Sequence, residues 1–96
     1  MDSETFVKIQ KALAEPNRLD ILEIIRELNT GDGITCSTVL ARTGVSQSTF
    51  SHHVSELAEA GLVSGVKDGR NMLLSVNQSL VEEYLEELKA KILGKM

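Results

Sequence analysis

The sequence predicts a mainly α-helical chain with one small β-hairpin, an α+β fold in the order α-α-(β)-α-α-β-β-α. Three observations carry that expectation. Five segments read as helices, four of them by apolar residues that recur at helical spacing. Two of those segments meet at a tight turn, Gly44-Val45-Ser46, where Gly44 can take the positive φ that such a turn needs. Two strand-like runs, Leu62 to Val66 and Met72 to Val76, flank Asp68-Gly69, a short-range hairpin signal.

Residues 3–14 read as the first helix, with Ser3 as its N-cap. Its apolar members are Phe6, Val7, Ile9, Leu13 and Ala14, interleaved with Lys8, Gln10 and Lys11. Pro16 suits the first turn of a second helix, since a missing N–H costs nothing there. Leu19, Ile21, Leu22, Ile24, Ile25 and Leu28 follow at helical spacing, and Asn29 to Gly33 end the helix. Ile34-Thr35 could add a short strand. Residues 36–43 form a short third helix stopped by Gly44. The fourth begins at Ser46, with Ser46 and Ser48 as cap candidates. Phe50, Val54, Leu57 and Ala58 form its expected buried stripe, and Gly61 closes it. Lys67 to Asn71 join the two strands. The last helix, Gln78 to Leu93, repeats Leu80, Val81, Tyr84, Leu85, Leu88 and Ile92 on one face. Glu82, Glu83, Glu86 and Glu87 take the other, with Glu83 and Glu87 placed to pair with Lys89 and Lys91.

A short helix, a three-residue turn and a helix rich in small polar groups make a helix-turn-helix over about residues 36–60. Val45 is placed to plug the angle between its helices. Followed by a hairpin over about 62–76, it is a winged helix. Outside the buried stripe, the helix after the turn offers Ser46, Gln47, Ser48, Thr49, Ser51 and His52. Gln can address adenine bidentately, and Ser or Thr can serve bases or phosphates. The helix N-terminus adds free N–H groups for a phosphate. Lys67, Arg70 and Asn71 at the hairpin tip could reach a backbone or minor groove. His52 follows the polar face. The adjacent His53 points about 100° away, toward Phe50 and Val54, and reads as a packing histidine. Arg18 has three readings: a cap, an ion-pair partner near the second helix, or a phosphate contact.

Composition bounds the alternatives. With 96 residues and 42% hydrophobic content, the chain suits a single folded domain over 1–96. No run approaches the roughly 20 apolar residues of a membrane span. The start, MDSETF, lacks a signal peptide's basic and apolar regions, and one cysteine fits a reducing cytoplasm. No glycine-rich phosphate loop, activated nucleophile or paired carboxylates support an enzyme. The formal charge of −4 and a pI near 5.1 argue against nucleic acid as a whole-chain average. The distribution softens that. Four glutamates lie on the last helix, and Glu15, Asp20, Glu23 and Glu27 lie on or just before the second. Glu56 and Glu59 close the fourth helix. The expected DNA face sets Lys67 and Arg70 against Asp68 alone.

The stretch from Lys11 through Glu15-Pro16-Asn17-Arg18 to Leu22 resembles the opening of the ArsR/SmtB family of repressors. Gly44 to Val63 resembles the family's recognition helix and its exit into the wing, and Gly69 to Val76 its hairpin. The resemblance runs from about residue 6 to 93 in the same element order. It implies a homodimeric repressor on a palindromic operator in double-stranded DNA. The dimer would be built from the first and last helices, 3–14 and 78–93. The apolar stripes of those helices nominate Phe6, Ile9, Leu13, Leu80, Tyr84, Leu85 and Leu88. An inducer would shift the angle between two DNA-binding lobes.

Many family members release DNA when a metal binds. One family site is a Cys-x-Cys in the third helix, matched here by Cys36 and Thr38, so the second ligand is missing. A second uses Asp and His of the last helix, and residues 78–93 hold neither. Both sites are incomplete, and no cofactor is expected through them. Cys36 is left as a weak metal candidate, a thiol sensor able to bridge only between subunits, or a small buried hydrophobe. The rival readings are a same-fold regulator answering an organic ligand, thiol oxidation or a protein partner, and a protein-interaction winged helix without DNA binding.

Overall fold

A computed structural model describes residues 1–94 of the chain. Its elements are α1 (Ser3–Leu13), α2 (Pro16–Leu28), β1 (Ile34–Thr35), α3 (Cys36–Thr43), α4 (Gln47–Glu59), β2 (Val63–Asp68), β3 (Asn71–Val76) and α5 (Gln78–Leu93). No helix among the described residues is long and apolar enough to cross a membrane.

Each helix start is set by a side chain that takes up a free N–H. The α1 cap is Asp2, one residue before the expected Ser3. Asp2 is extended (φ −79°, ψ 165°) and its Oδ1 accepts from Thr5 N–H at 2.8 Å, while Ser3 is already helical. Glu15 accepts from Asn17 N–H at 3.0 Å ahead of α2, where Pro16 opens the helix. Thr35 caps α3 and Asn77 caps α5. Of the two cap candidates for α4, Ser46 holds the position, accepting from Thr49 N–H at 3.2 Å. Gly44 ends α3 at φ 74°, a conformation L side chains rarely adopt. Val45 is half-buried against the core at this turn.

The sheet has three antiparallel strands in the order β1-β3-β2. Ile34 pairs with Leu74 and Thr35 with Leu73, so the short strand expected there forms and adds a third strand to the hairpin. Asp68 pairs with Asn71, which leaves Gly69-Arg70 as the whole turn. The expected five-residue connection from Lys67 to Asn71 is thus shorter, with Lys67, Asp68 and Asn71 inside the ladder. Gly69 carries a positive φ of 64° and Arg70 does not, the pattern of a two-residue turn with glycine first.

The core gathers Ile9, Ile21, Ile25, Val39, Leu57, Leu62 and Leu74, all fully buried. The buried stripe of α4 is Phe50, His53 and Leu57, continued by Ala60 beyond the helix. Ala58, expected in that stripe, is exposed. Leu57 and Ala58 are neighbours about 100° apart, and only Leu57 faces inward. In α5 only Tyr84 is buried. Glu87 pairs with Lys91 at 3.9 Å as expected, but Glu83 meets the amine of Met1 at 3.2 Å instead.

Candidate DNA-binding surface

With α4 docked through Phe50, His53 and Leu57, its exposed side is fixed. Gln47, Ser48, Ser51, His52 and Ser55 are all exposed there. At about 100° per residue, Ser48, Ser51, His52 and Ser55 fall within about a third of the circumference. The first turn holds no acidic residue. Glu56 and Glu59 stand toward the C-terminal end. Ser55 lies one turn beyond the polar face expected from the sequence, which ends at His52. Its signal was available: it is four residues after Ser51 and three after His52.

Three of the nominated side chains are partly committed within the chain. Ser46 Oγ caps the helix, and lies 3.0 Å from Thr49 Oγ1 and 3.4 Å from Ser48 Oγ. This small hydroxyl cluster stiffens the start of α4. Its N-terminal N–H groups face outward at the positive end of the helix dipole.

A cleft of about 620 Å³ separates α3 and α4 from the hairpin tip. Gln47, Ser51 and Ser55 line one wall, and Arg70 and Asn71 the other. The structure therefore brings α4 and the wing together along one groove. Ser46, Ser48, Thr49, His52 and Lys67 do not line it. The groove's one charged lining residue is Arg70. Lys67 is exposed on the strand before the turn, on the same face as its partner Met72.

His53 is 7% exposed, and its Nδ1 accepts from Arg18 Nε–H at 3.2 Å. Among the described residues Arg18 neither caps a helix nor joins an ion pair; it reaches across to α4. Cys36 is half-buried at the groove's edge, and burial pushes its thiol above the ordinary pKa. Thr38, at the place of a second family ligand, has its Oγ1 2.7 Å from Thr35 Oγ1. Among the described residues no three His, Cys, Asp or Glu side chains stand close enough to share a metal ion.

The residues nominated for a dimer divide into two groups. Ile9 is wholly buried within the chain, as nearly are Phe6 and Tyr84, whose rings stack at 5.1 Å. Leu13, Leu80 and Leu88 are half-buried against the core. Only Leu85, 53% exposed, presents most of its side chain outward. The free apolar surface on these two helices also includes Val7, Ile92 and Leu93.

Residues 13–66 match the family model described as a helix-turn-helix domain. The arsenical resistance operon repressor of Staphylococcus aureus is 31% identical over 80 residues, spanning 83% of this chain and 73% of the relative. The chain belongs to the ArsR family of transcriptional regulators. Among solved structures, an ArsR-like transcriptional regulator from Rhodococcus superposes with a TM-score of 0.74 at 26% identity, covering 90% of this chain and 77% of that one. A homodimeric winged helix-turn-helix domain from Mycobacterium bovis, at 21% identity and a TM-score of 0.73, covers 92% of this chain and 80% of that one and supports the fold. The ArsR family is one of regulators and not of enzymes, and the winged-helix arrangement expected from the sequence is the one observed.

Proposed function

We propose that this chain is a homodimeric repressor that binds a palindromic operator in double-stranded DNA. The observation that carries the reading is the exposed, carboxylate-free arc of α4 from Gln47 to Ser55, with Arg70 and Asn71 across the groove. On this reading α4 enters the major groove N-terminus first. Gln47, Ser48, Ser51, His52 and Ser55 meet base edges or phosphates, Ser46 and Thr49 shape the helix end, and Lys67, Arg70 and Asn71 hold flanking backbone. Two such helices in a symmetric dimer would meet half-sites about 34 Å apart.

The exposed Val7, Leu85, Ile92 and Leu93 support a dimer through α1 and α5, and the M. bovis domain is homodimeric. The acidic average is carried by the backs of α2 and α5, so binding is modest in strength and steeply salt-dependent. The cytoplasm, where the DNA is, is the proposed location. A titration of a duplex from the region upstream of its own gene, at low salt and with the mass followed by light scattering, tests the proposal. A folded dimer that fails to bind even at low salt overturns it in favour of a protein-interaction role.

A further inference from the structure

The Arg18–His53 hydrogen bond is unlike the rest of the polar network. Every other hydrogen bond between two side chains among the described residues joins positions three or fewer apart, and the exposed ion pair of Arg42 with Glu27, at 3.8 Å, ties α3 to α2 without reaching α4. This one spans 35 positions and fastens α2 to α4. Nothing local explains Arg18. It is the third residue of α2, where the positive end of the helix dipole disfavours a cation. Its bond is directional, since Nε–H must be received by a lone pair on Nδ1. His53 is buried on the far side of α4 from Ser48, Ser51 and Ser55. The pair therefore grips the helix from behind while leaving its outer face free.

We propose that Arg18 is a positioning residue for DNA binding: through His53 it fixes the rotation and tilt of α4, touching neither base nor phosphate. This rests on the reading of α4 as the helix that enters the groove. Apolar packing by Phe50 and Leu57 is non-directional and tolerates small rotations, whereas a charged hydrogen bond does not. Loss of the bond would leave a folded chain whose α4 addresses bases poorly.

The test compares wild type, Arg18→Gln, His53→Leu, the double variant and His53→Asn. Each is titrated with the upstream duplex and with a scrambled duplex over a salt series, and its folded fraction is followed by circular dichroism. Arg18→Gln should weaken binding to the upstream duplex about tenfold. Its affinity for the scrambled duplex, and the slope of log affinity against log salt, should stay unchanged. The double variant should be no weaker than either single one. His53→Asn, which keeps an acceptor near the place of Nδ1, should recover most of the affinity. Equal losses on both duplexes would overturn the proposal: with a slope shallower by about 0.9 they mean a phosphate contact, and with an unchanged slope a folding defect. Unchanged binding by Arg18→Gln also overturns it. A wild type that binds no duplex defeats the functional reading itself, before any variant is compared.

Discussion

The rings of Phe6 and Tyr84 lie 5.1 Å apart, tilted by 41°, and fasten the first helix to the last within one chain. Lys91 Nζ sits 5.2 Å from the centre of the Phe6 ring on the same seam. These aromatic residues belong to the protomer's own core, and Leu85, one residue on, does not.

That contrast separates stability from assembly. Tyr84→Ala should lower the unfolding free energy by about 3 kcal/mol in urea melts, the usual loss for a buried aromatic. Leu85→Glu should leave the unfolding of the protomer nearly unchanged and weaken dimerisation at least tenfold, read by sedimentation across a concentration series. A Leu85→Glu protein that keeps the wild-type dimer constant removes this face as the interface.

Ser55 extends the exposed arc of α4 one turn past His52. Ser55→Glu should reduce DNA affinity at least tenfold, because a carboxylate would face phosphates or base acceptors. Its stability should change by less than about 0.5 kcal/mol, as for an ordinary surface substitution. Fluorescence anisotropy and thermal melting read the two quantities, and undiminished binding would place Ser55 outside the interface.

At the hairpin tip, Arg70 is the one charged residue lining the groove. Arg70→Gln should weaken binding several-fold at low salt and make the salt slope shallower by about 0.9, the signature of one lost phosphate contact. A slope equal to wild type would assign Arg70 some other role.

Cys36 has its thiol pushed up by burial, so less thiolate is present at neutral pH than in a free cysteine. Alkylation by iodoacetamide should be slower than for a cysteine-containing peptide at pH 7, with the gap closing as pH rises. Labelling faster than the peptide would mark Cys36 as an activated thiol.

The amine of Met1 is held above its ordinary pKa of 8.0, first by its hydrogen bond to Glu83 and then by the charge of Glu87. A raised pKa means that the folded state binds the proton more tightly than the unfolded one. The stabilisation is therefore fully present below about pH 8 and fades as pH rises through the elevated value. The melting temperature of wild type should fall toward that of a Glu83→Gln, Glu87→Gln variant as pH passes from 7 to 10. Curves that stay parallel would show that the pair contributes nothing.

Much of this architecture was legible because it rests on local signals. Thr35, Gly44 and Ser46 bracket α3 and begin α4 through side-chain caps and a left-handed glycine, each readable from a few residues. The features not legible in the sequence depend on distant partners or on small rotations. The pairing of Ile34 with Leu74 joins residues 40 positions apart. The turn at Gly69-Arg70 is set by the pairing of Asp68 with Asn71, which composition alone does not specify. His53 and Ala60 replace Ala58 in the buried stripe because inward direction, not apolarity, decides burial. The apolar stripes of α1 and α5 were visible, but periodicity does not distinguish a side chain spent on the protomer's core, such as Ile9, from one left uncovered, such as Leu85.

Thr35 holds two posts at once. Its hydroxyl oxygen receives the N–H of Thr38 at the start of α3, and its backbone pairs with Leu73 in the wing. The hairpin is thereby stitched to the first residue of the helix-turn-helix. Wing and helix-turn-helix are thus tied together at one residue. On the proposed DNA-binding reading, a displacement of α1 or α5 would carry α4 and the wing together.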